Sequence, residues 1–334
     1  MITLAVIGYG YWGPNLVRNF NRHPDCRIKR VIDFNPKRLK LVNELYPAIQ
    51  TGNSVDEIWQ DSEIDAVVIA TPVTTHYPFA LQAIESGKHV LVEKPLTSSR
   101  IHCEDLIDRA EKKGRALMVD HTFLYTGAVR RIKKLIDDGE IGDIQYFDST
   151  RINLGLFQED VNVVWDLACH DISILNYLVK EKPVSVVATG VSHLGNNIEN
   201  LAYITLHYAS NRIAHFNCSW ASPLKVRKIL IGGTKKMIVF DDIEPTEKIK
   251  IYDTGFSINP DEKERLLVDY RTGDIYIPKI EQTEALSLMS RDFIDAILKK
   301  KEPVSNWKTG LQVVSILEAA QQSIKKNGME VQLS

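Results

Sequence analysis

Three residues in this 334-residue chain have the types and spacing of a proton-transfer site. Lys94 follows the run HVLVE, which is typical of a buried β-strand that delivers the next residue to the end of a sheet. Asp166 and His170 lie four residues apart in WDLACHD, a spacing that puts both on one face of a helix. Histidine exchanges protons near neutral pH, and a lysine ammonium stabilises developing negative charge. The three residues therefore predict proton removal from a substrate hydroxyl, with either His170 or Lys94 as the base.

Each of these residues also has a plainer interpretation. A lysine after a strand is usually solvated, and an aspartate–histidine pair on a helix is often a cap or a surface pair. In the same segment, Trp165 fits core packing as well as stacking on a ligand, and Asp171 fits a structural role as well as a catalytic one. The catalytic interpretation is favoured because the preceding sequence predicts a fold that binds ligands at strand ends.

A glycine-rich turn directly follows the first predicted strand. Gly8, Gly10 and Gly13 have G-x-G-x-x-G spacing between the apolar run ITLAVI and a helix that begins near Pro14. Asp33 ends the second predicted strand, twenty residues after Gly13. Strand, glycines, helix, strand and acidic residue in this order form the dinucleotide-binding fingerprint, in which the backbone approaches the pyrophosphate at the helix N-terminus. Asp33 predicts hydrogen bonds to the adenosine ribose and repulsion of a 2′-phosphate, which favours NAD over NADP.

Further cofactor contacts are predicted near this turn and at the ends of later strands. Arg38 either lies near the ribose or belongs to a solvated helix face, and His76 either lines the cofactor cleft or caps its helix. His121, after the sixth strand, is an additional candidate for the cleft. The full set of predicted cofactor contacts is Gly8, Gly10, Tyr11, Trp12, Gly13, Asp33, Arg38, Thr71, Pro72, His76, Glu93 and Lys94.

Strands and helices alternate strictly through residues 1–121, as in AVVIAT, HVLVE and ALMVD with the helices between them. This order predicts an α/β Rossmann domain with a doubly wound parallel sheet, whose ligands bind beyond the carboxyl ends of the strands. Within residues 122–334 several strands follow one another without helices, and two helices near 281–300 and 306–326 close the chain. The second domain is therefore predicted to be α+β with an open, mostly antiparallel sheet.

Composition excludes several classes of protein. A net charge of −2 gives no support for nucleic acid or an anionic membrane as a partner. No apolar run approaches the 18 or so residues of a membrane span, and the first strand begins too early for a signal peptide. Four widely spaced cysteines predict reduced thiols in a cytoplasmic protein, with neither disulfides nor a metal site.

These motifs together resemble the Gfo/Idh/MocA family, named for glucose–fructose oxidoreductase, inositol dehydrogenase and rhizopine catabolism proteins. The resemblance rests on VIGYGYWG, on ATPVTTHYPFALQAIESGKHVLVEKPL and on the D-x-x-x-H-D of DLACHD. It implies an NAD-dependent enzyme that oxidises or reduces a sugar or cyclitol hydroxyl, with Lys94, Asp166 and His170 as catalytic residues. It also implies a cis peptide bond before Pro95, and a C-terminal sheet through which relatives associate, so we expect a homodimer or homotetramer.

The segment RINLGLFQEDVNVVWDLACHD lacks the glycine-rich form common in the family and resembles its nucleotide-sugar branch, particularly UDP-N-acetylglucosamine 3-dehydrogenases and their uronic-acid counterparts. In this interpretation Arg151 binds a phosphate bidentately, unless it forms a structural salt bridge, and Asn153 binds sugar hydroxyls or the acetamido group. The predicted substrate contacts are Lys94, Arg151, Asn153, Asp166 and His170.

The resemblance therefore implies oxidation of UDP-N-acetylglucosamine at C3 to the 3-keto sugar, with a downstream aminotransferase leading to an envelope glycolipid, such as lipid A, or to a polysaccharide. The alternatives are the uronic-acid substrate, a free-sugar or inositol dehydrogenase, a deoxysugar ketoreductase, and an NAD-binding regulator without turnover. The intact set of Lys94, Asp166 and His170 argues against the regulator.

Overall fold

The computed structural model describes residues 1–155, 157–195, 197–258 and 268–333. The chain forms two compact units, one of Met1–Tyr125 with Thr283–Ser315 and the other of Thr126–Gln282 with Ile316–Ser334. The first division lies four residues beyond the predicted limit at residue 121. Residues 283–315 were expected in the second domain, and they join the first unit instead.

The first unit is built on the six-stranded sheet that the alternation predicts. Its strands are β1 (Ile2–Ile7), β2 (Cys26–Ile32), β3 (Gln50–Gly52), β4 (Ala66–Ile69), β5 (His89–Glu93) and β6 (Leu117–Asp120). The order is β3-β2-β1-β4-β5-β6 and every neighbouring pair is parallel, which confirms the predicted Rossmann topology. The connecting helices are α1 (Gly13–Asn21), α2 (Pro36–Leu45), α3 (Asp56–Trp59), α4 (His76–Glu85) and α5 (Arg100–Lys112). β1 and β4 are buried along their whole length, as expected when crossover helices cover both faces of a parallel sheet.

The second unit contains a nine-stranded sheet, a two-stranded sheet and, among the described residues of its Thr126–Gln282 part, two helical segments. The helical segments are α6 (Gly127–Asp137) and a π-helical turn (Val164–Ala168) that continues as α7 (Cys169–Leu178). The strands of this unit are β7 (Ile144–Leu154), β8 (Ser185–Val191), β9 (Leu201–His207), β10 (Ile213–Ser219), β11 (Ala221–Gly233), β12 (Met237–Asp241), β13 (Ile249–Tyr252), β14 (Gly255–Ile258), β15 (Val268–Arg271), β16 (Ile275–Tyr276) and β17 (Val331–Gln332).

The large sheet has the order β16-β13-β12-β11-β7-β10-β9-β8-β17, while β14 and β15 pair separately. Within the large sheet, β7 and β10 run parallel and the other neighbouring pairs are antiparallel. On β10, Ala214, Phe216 and Cys218 are buried, whereas His215 and Asn217 between them are half-buried. Burial that alternates with a period of two therefore marks the side of β10 that faces the core. The strand pairs confirm the predicted α+β architecture with a mostly antiparallel sheet.

Two helices follow these strands, α8 (Ala285–Leu298) and α9 (Trp307–Lys325), and the division between the units falls within α9. Helix α8 belongs to the first unit because it packs on α1, where Phe20 and Phe293 meet edge to face with ring centroids 6.1 Å apart. Nearby, the buried Tyr125 hydroxyl donates to Asp292 Oδ2 at 2.8 Å. Within the described residues, no helix has the length and apolar character needed to cross a membrane.

Phe293→Ala should lower the free energy of unfolding by about 3–5 kcal/mol, because it removes a fully buried ring and leaves a cavity against Phe20. Leu298→Ala on the same helix is the matched control, since Leu298 is 45% exposed and its truncation should change stability by less than about 1 kcal/mol. Urea unfolding followed by circular dichroism measures both, and equal losses would contradict the assignment of α8 to this core.

Candidate active site

The glycine-rich turn between β1 and α1 packs against the backbone that follows β4. Gly8 has a φ of +95°, and a Cβ atom there would lie 2.3 Å from the carbonyl oxygen of Ala70. At Gly13, a Cβ atom would lie 2.4 Å from the carbonyl oxygen of Gly8. Both positions therefore exclude a side chain. Helix α1 begins at Gly13 with Pro14 in its first turn, and the positive end of its dipole can bind a phosphate.

Asp33 follows β2 and its buried carboxylate organises the turn. Oδ2 accepts hydrogen bonds from the backbone N–H of Tyr9 at 2.7 Å and from Nη1 of Arg38 at 3.3 Å. Oδ1 accepts from the backbone N–H of Asn35 at 2.7 Å. Because a carboxylate offers about four acceptor sites, capacity remains for a ribose hydroxyl. The Arg38 guanidinium also lies beside Gly10, where a Cβ atom would be 3.7 Å from Nη1, so the structure brings these three predicted residues together.

Four other predicted cofactor contacts present surface to a ligand. The rings of Tyr11 and Trp12 meet edge to face at 5.6 Å and are exposed. Pro72 is exposed and Thr71 is half-buried, with the Thr71 hydroxyl accepting a hydrogen bond from Thr75 at 2.7 Å. Their accessibility agrees with the predicted role.

His76 is a correction to the prediction. The side chain is 1% exposed, and both ring nitrogens lie within hydrogen-bonding distance of backbone carbonyl oxygens. Nδ1 lies 2.8 Å from the Pro95 oxygen and Nε2 lies 2.8 Å from the Thr71 oxygen. The imidazole therefore braces the segments that follow β4 and β5, and neither nitrogen is directed at a cofactor.

Lys94 lies directly beyond β5 and is half-buried. Its backbone N–H donates to Oε2 of Glu93 at 3.2 Å. The peptide bond between Lys94 and Pro95 is cis, as the family resemblance implies. The lysine thus occupies the strand end at which the sequence predicts it.

Glu93 and Asp120 form a buried pair of carboxyl groups at the paired ends of β5 and β6. Glu93 Oε1 and Asp120 Oδ2 have no hydrogen-bond partner among the N–H and O–H groups of the described residues. Burial raises the pKa of Glu93 well above its ordinary value, and the neighbouring Asp120 carboxylate raises it further. Burial also raises the pKa of Asp120 to about 6. The pair therefore retains a proton close to neutral pH, because two adjacent carboxyl groups resist joint ionisation.

The carboxyl group of Glu93 thus faces Asp120, and its contact with the cofactor stays a prediction. Sequence reasoning did not single out Asp120, although its signal is present: both neighbouring strands end in an acidic residue, in HVLVE and ALMVD. Since adjacent parallel strands end at the same edge of a sheet, the two residues must be neighbours once the strand order is known.

His121 lies next to this pair and is buried as an uncharged imidazole. Burial, and then the positive charge of Lys94, lower the pKa of His121 to about 3. Neither ring nitrogen has a hydrogen-bond partner among the described side chains and backbone groups. At neutral pH this ring can donate through one nitrogen and accept through the other, but it cannot serve as a cation.

In the second unit, Asp166 and His170 are both half-buried and lie on one continuous helical segment. The prediction of a regular α-helical turn between them needs correction, because Val164–Ala168 forms a π-helical turn, a feature frequent at functional sites. Asn162 caps this segment, since its Oδ1 accepts the backbone N–H of Val164 at 3.1 Å. Oδ2 of Asp166 accepts a hydrogen bond from Nε1 of Trp220 at 3.0 Å. Sequence reasoning did not single out Trp220 as part of this arrangement.

Arg151 is a second correction, because it forms the structural salt bridge. The side chain is buried, and its Nη2 and Nε donate to Asp171 at 2.6 and 3.0 Å. The Ser149 hydroxyl donates to the same carboxylate at 2.7 Å. The guanidinium faces Asp171, which is therefore structural, and the predicted phosphate contact has no support. Asn153 is half-buried two residues further along β7, and its contact with a sugar stays a prediction.

In the part of the chain that the structure describes, no three His, Cys, Asp or Glu side chains are grouped so that they could hold a metal ion. The four cysteines are buried and form no disulfide.

These features are typical of a dinucleotide-binding oxidoreductase: a parallel sheet, a turn that excludes side chains, and an acidic residue after β2. The second unit adds a mixed sheet. The chain belongs to the Gfo/Idh/MocA family. Residues 2–121 match the oxidoreductase family with an NAD-binding Rossmann fold, and residues 129–239 match the GFO/IDH/MocA C-terminal domain. The predicted family, enzyme class and NAD cofactor are confirmed. The glycine-rich turn and Asp33 would hold NAD, which would supply the hydride acceptor or donor.

The chain is similar to proteins with different names and activities. Inositol 2-dehydrogenase of Rhizobium meliloti is 23% identical, over 97% of each chain. The 2,7-anhydro-N-acetylneuraminate hydratase of Mediterraneibacter gnavus is 26% identical, over 79% of this chain and 74% of that protein. The solved structure of UDP-N-acetylglucosamine 3-dehydrogenase GnnA from Acidithiobacillus ferrooxidans has a TM-score of 0.80 at 23% identity, covering 97% of this chain and 98% of that one.

Asp120→Asn should make thermal stability less dependent on pH. The pKa of Asp120 rises from 3.8 to about 6 on folding, so its retained proton stabilises the fold at low pH and this stabilisation is lost as the pH rises through about 6. The melting temperature of the variant relative to wild type should therefore increase between pH 5 and pH 7.5. Glu93→Gln should change it in the same direction, because either substitution removes one member of the pair. A difference that stays constant across this range would contradict the shared-proton interpretation.

Asp33→Ala should narrow the preference for NAD(H) over NADP(H) by about tenfold or more, because the carboxylate that repels a 2′-phosphate is removed while Arg38 stays. Calorimetric titration of both cofactors measures the ratio of their dissociation constants. A general loosening of the turn would weaken the binding of both cofactors alike, so it would leave this ratio unchanged. Tighter binding of NADP(H) by the wild-type protein would refute the predicted preference.

Proposed function

We propose that this protein oxidises UDP-N-acetylglucosamine at C3 to the 3-keto sugar, with hydride transfer to NAD⁺. The observation that carries the proposal is the half-buried Asp166 and His170 on one capped helical segment, with the Asp166 carboxylate fixed by Trp220. The choice of sugar is supported by the resemblance of RINLGLFQEDVNVVWDLACHD to the nucleotide-sugar branch, and the likeness to GnnA supports the fold on which that sugar would bind.

The proposed chemistry balances one hydride against one proton. Bound NAD⁺ would supply the acceptor for the hydride that leaves C3. His170 accepts the proton of the C3 hydroxyl, as its chemistry near neutral pH allows. The ammonium group of Lys94 stabilises the negative charge that develops on the oxygen. Asp166 accepts a hydrogen bond from the imidazole or from a neighbouring sugar hydroxyl, so that the carbonyl product forms in one orientation.

Arg151 has no part in this proposal, because its guanidinium is buried against Asp171. The diphosphate must therefore be recognised by other groups. An inositol dehydrogenase, which has no phosphate to recognise, is the second candidate. It is favoured by the inositol 2-dehydrogenase relative, which matches 97% of this chain. Subunit association also stays a proposal: we expect a homodimer or homotetramer, and light scattering of the purified protein measures its mass.

The substrate test incubates the enzyme with NAD⁺ and, in separate reactions, UDP-N-acetylglucosamine, its C6-carboxylate form, myo-inositol and 2,7-anhydro-N-acetylneuraminate. NADH absorbance and mass spectrometry of the keto product follow each reaction, with an aminotransferase present to draw off a 3-keto nucleotide sugar. Turnover of UDP-N-acetylglucosamine is expected. Turnover of inositol alone would select the second candidate, and a mass gain of water without NADH would indicate a hydratase.

His170→Ala and Lys94→Ala should each lower the hydride-transfer rate on the accepted substrate by roughly a hundredfold or more, the scale of a lost proton-transfer or charge-stabilising group. His207→Ala on β9 and Lys40→Ala on α2 are matched controls outside the site and should retain near-wild-type rates. Single-turnover rates near wild type in both site variants would show that the catalytic residues are others.

A further inference from the structure

Trp220 joins the core of the second unit to one of the candidate catalytic carboxylates. It lies between β10 and β11 and is 1% exposed. A buried indole N–H needs an acceptor, since an unpaired buried donor is costly. That acceptor is Oδ2 of Asp166, at 3.0 Å and 54 residues away in sequence. This hydrogen bond satisfies the buried donor and also holds one oxygen of the Asp166 carboxylate.

The backbone of Trp220 is held on both sides. Its N–H donates to the carbonyl oxygen of Asn200 at 2.9 Å, and its carbonyl oxygen accepts from the N–H of Gly155 at 3.1 Å. The ring of Phe157 meets the indole edge to face, with centroids 5.7 Å apart. Because these contacts fix both the backbone and the ring, the indole N–H points in one direction.

The backbone of Asp166 is held independently of its side chain. Its N–H donates to the carbonyl oxygen of Asn162 at 3.1 Å, and the Asn162 side chain caps the same segment through the N–H groups of Val164 and Trp165 at 3.1 and 3.3 Å. Asn162 therefore fixes the backbone position of Asp166, and Trp220 fixes the orientation of its carboxylate. The hydrogen bond from Trp220 uses part of the acceptor capacity of this carboxylate, which offers about four acceptor sites in all.

We propose that Trp220 is a positioning residue, whose indole N–H holds the Asp166 carboxylate in the orientation required for turnover. The proposal deepens the proposed function, on which it rests for the role of Asp166 in catalysis. It assigns to Trp220 an effect on rate that acts through Asp166 and disappears when Asp166 is absent.

A double-mutant cycle tests this dependence. Trp220→Phe retains most of the buried ring and removes the N–H donor, so kcat on the accepted substrate should fall by about tenfold while KM changes less. Asp166→Ala should lower kcat further, and the double variant should be no slower than Asp166→Ala alone. Fold losses that multiply in the double variant would overturn the proposal, because Trp220 would then act independently of Asp166.

Trp59→Phe is the matched control for removal of an indole N–H. Nε1 of Trp59 is buried and has no acceptor among the described residues, so this substitution should leave kcat unchanged. An equal loss of kcat in Trp59→Phe and Trp220→Phe would show that general destabilisation causes the effect.

A turnover-independent measurement separates this proposal from the choice of substrate. The chain has five tryptophans, and the indole ¹H–¹⁵N signal of Trp220 in the NAD-loaded protein is identified by its loss in Trp220→Phe. In Asp166→Ala that signal should shift more than the other four, and Asp166→Asn should shift it in the same direction by less. An unmoved Trp220 signal would refute the contact whatever the substrate is. A shifted signal without turnover of any nucleotide sugar would refute the proposed function alone.

Discussion

Close contact between two stretches of backbone fixes the geometry of the first unit. Gly8 approaches the carbonyl oxygen of Ala70 and Gly13 approaches that of Gly8, at distances that leave no room for a Cβ atom. This contact sets the end of β1 against the end of β4 and aims the N-terminus of α1 at the turn. The same turn positions Asp33, because the backbone N–H of Tyr9 within the turn donates a hydrogen bond to the Asp33 carboxylate.

The two units treat buried charge in opposite ways. In the second unit, Arg151 and Asp171 pair with complementary geometry and a hydroxyl completes the arrangement, which is the condition under which a buried ion pair is tolerated. At the end of β5 and β6, Glu93 and Asp120 are instead two like groups whose burial raises the pKa of both. A pair that keeps a proton near neutrality beside Lys94 is suited to a site where protons move, whereas the Arg151–Asp171 pair is suited to holding strands together.

The match to the family extends over both units, whereas the proposed substrate contacts other than Lys94 lie in the second unit. The glycine turn and the strand that leads to Lys94 lie in the part that matches an NAD-binding Rossmann fold, and the chain is similar both to an inositol 2-dehydrogenase and to a 2,7-anhydro-N-acetylneuraminate hydratase. Among the proposed substrate contacts of the second unit, Asp166, His170 and Asn153 are half-buried, and Arg151 is buried. The same fold can therefore support several reactions, and the residues that touch the substrate must decide among them.

The sequence by itself determined the parallel sheet, the glycine turn, the position of Lys94 and the mostly antiparallel second sheet, because each depends on a local pattern: apolar runs, periods of two or 3.6 residues, and glycine spacing. Only the tertiary structure decided that Arg151 meets Asp171, that Glu93 meets Asp120, that His76 braces two backbone segments, and that residues 283–315 join the first unit. The contact between Trp220 and Asp166 is of the same kind. Each of these depends on which elements become neighbours and in what register, and those choices are made by packing between segments far apart in the chain, where no local pattern records the partner.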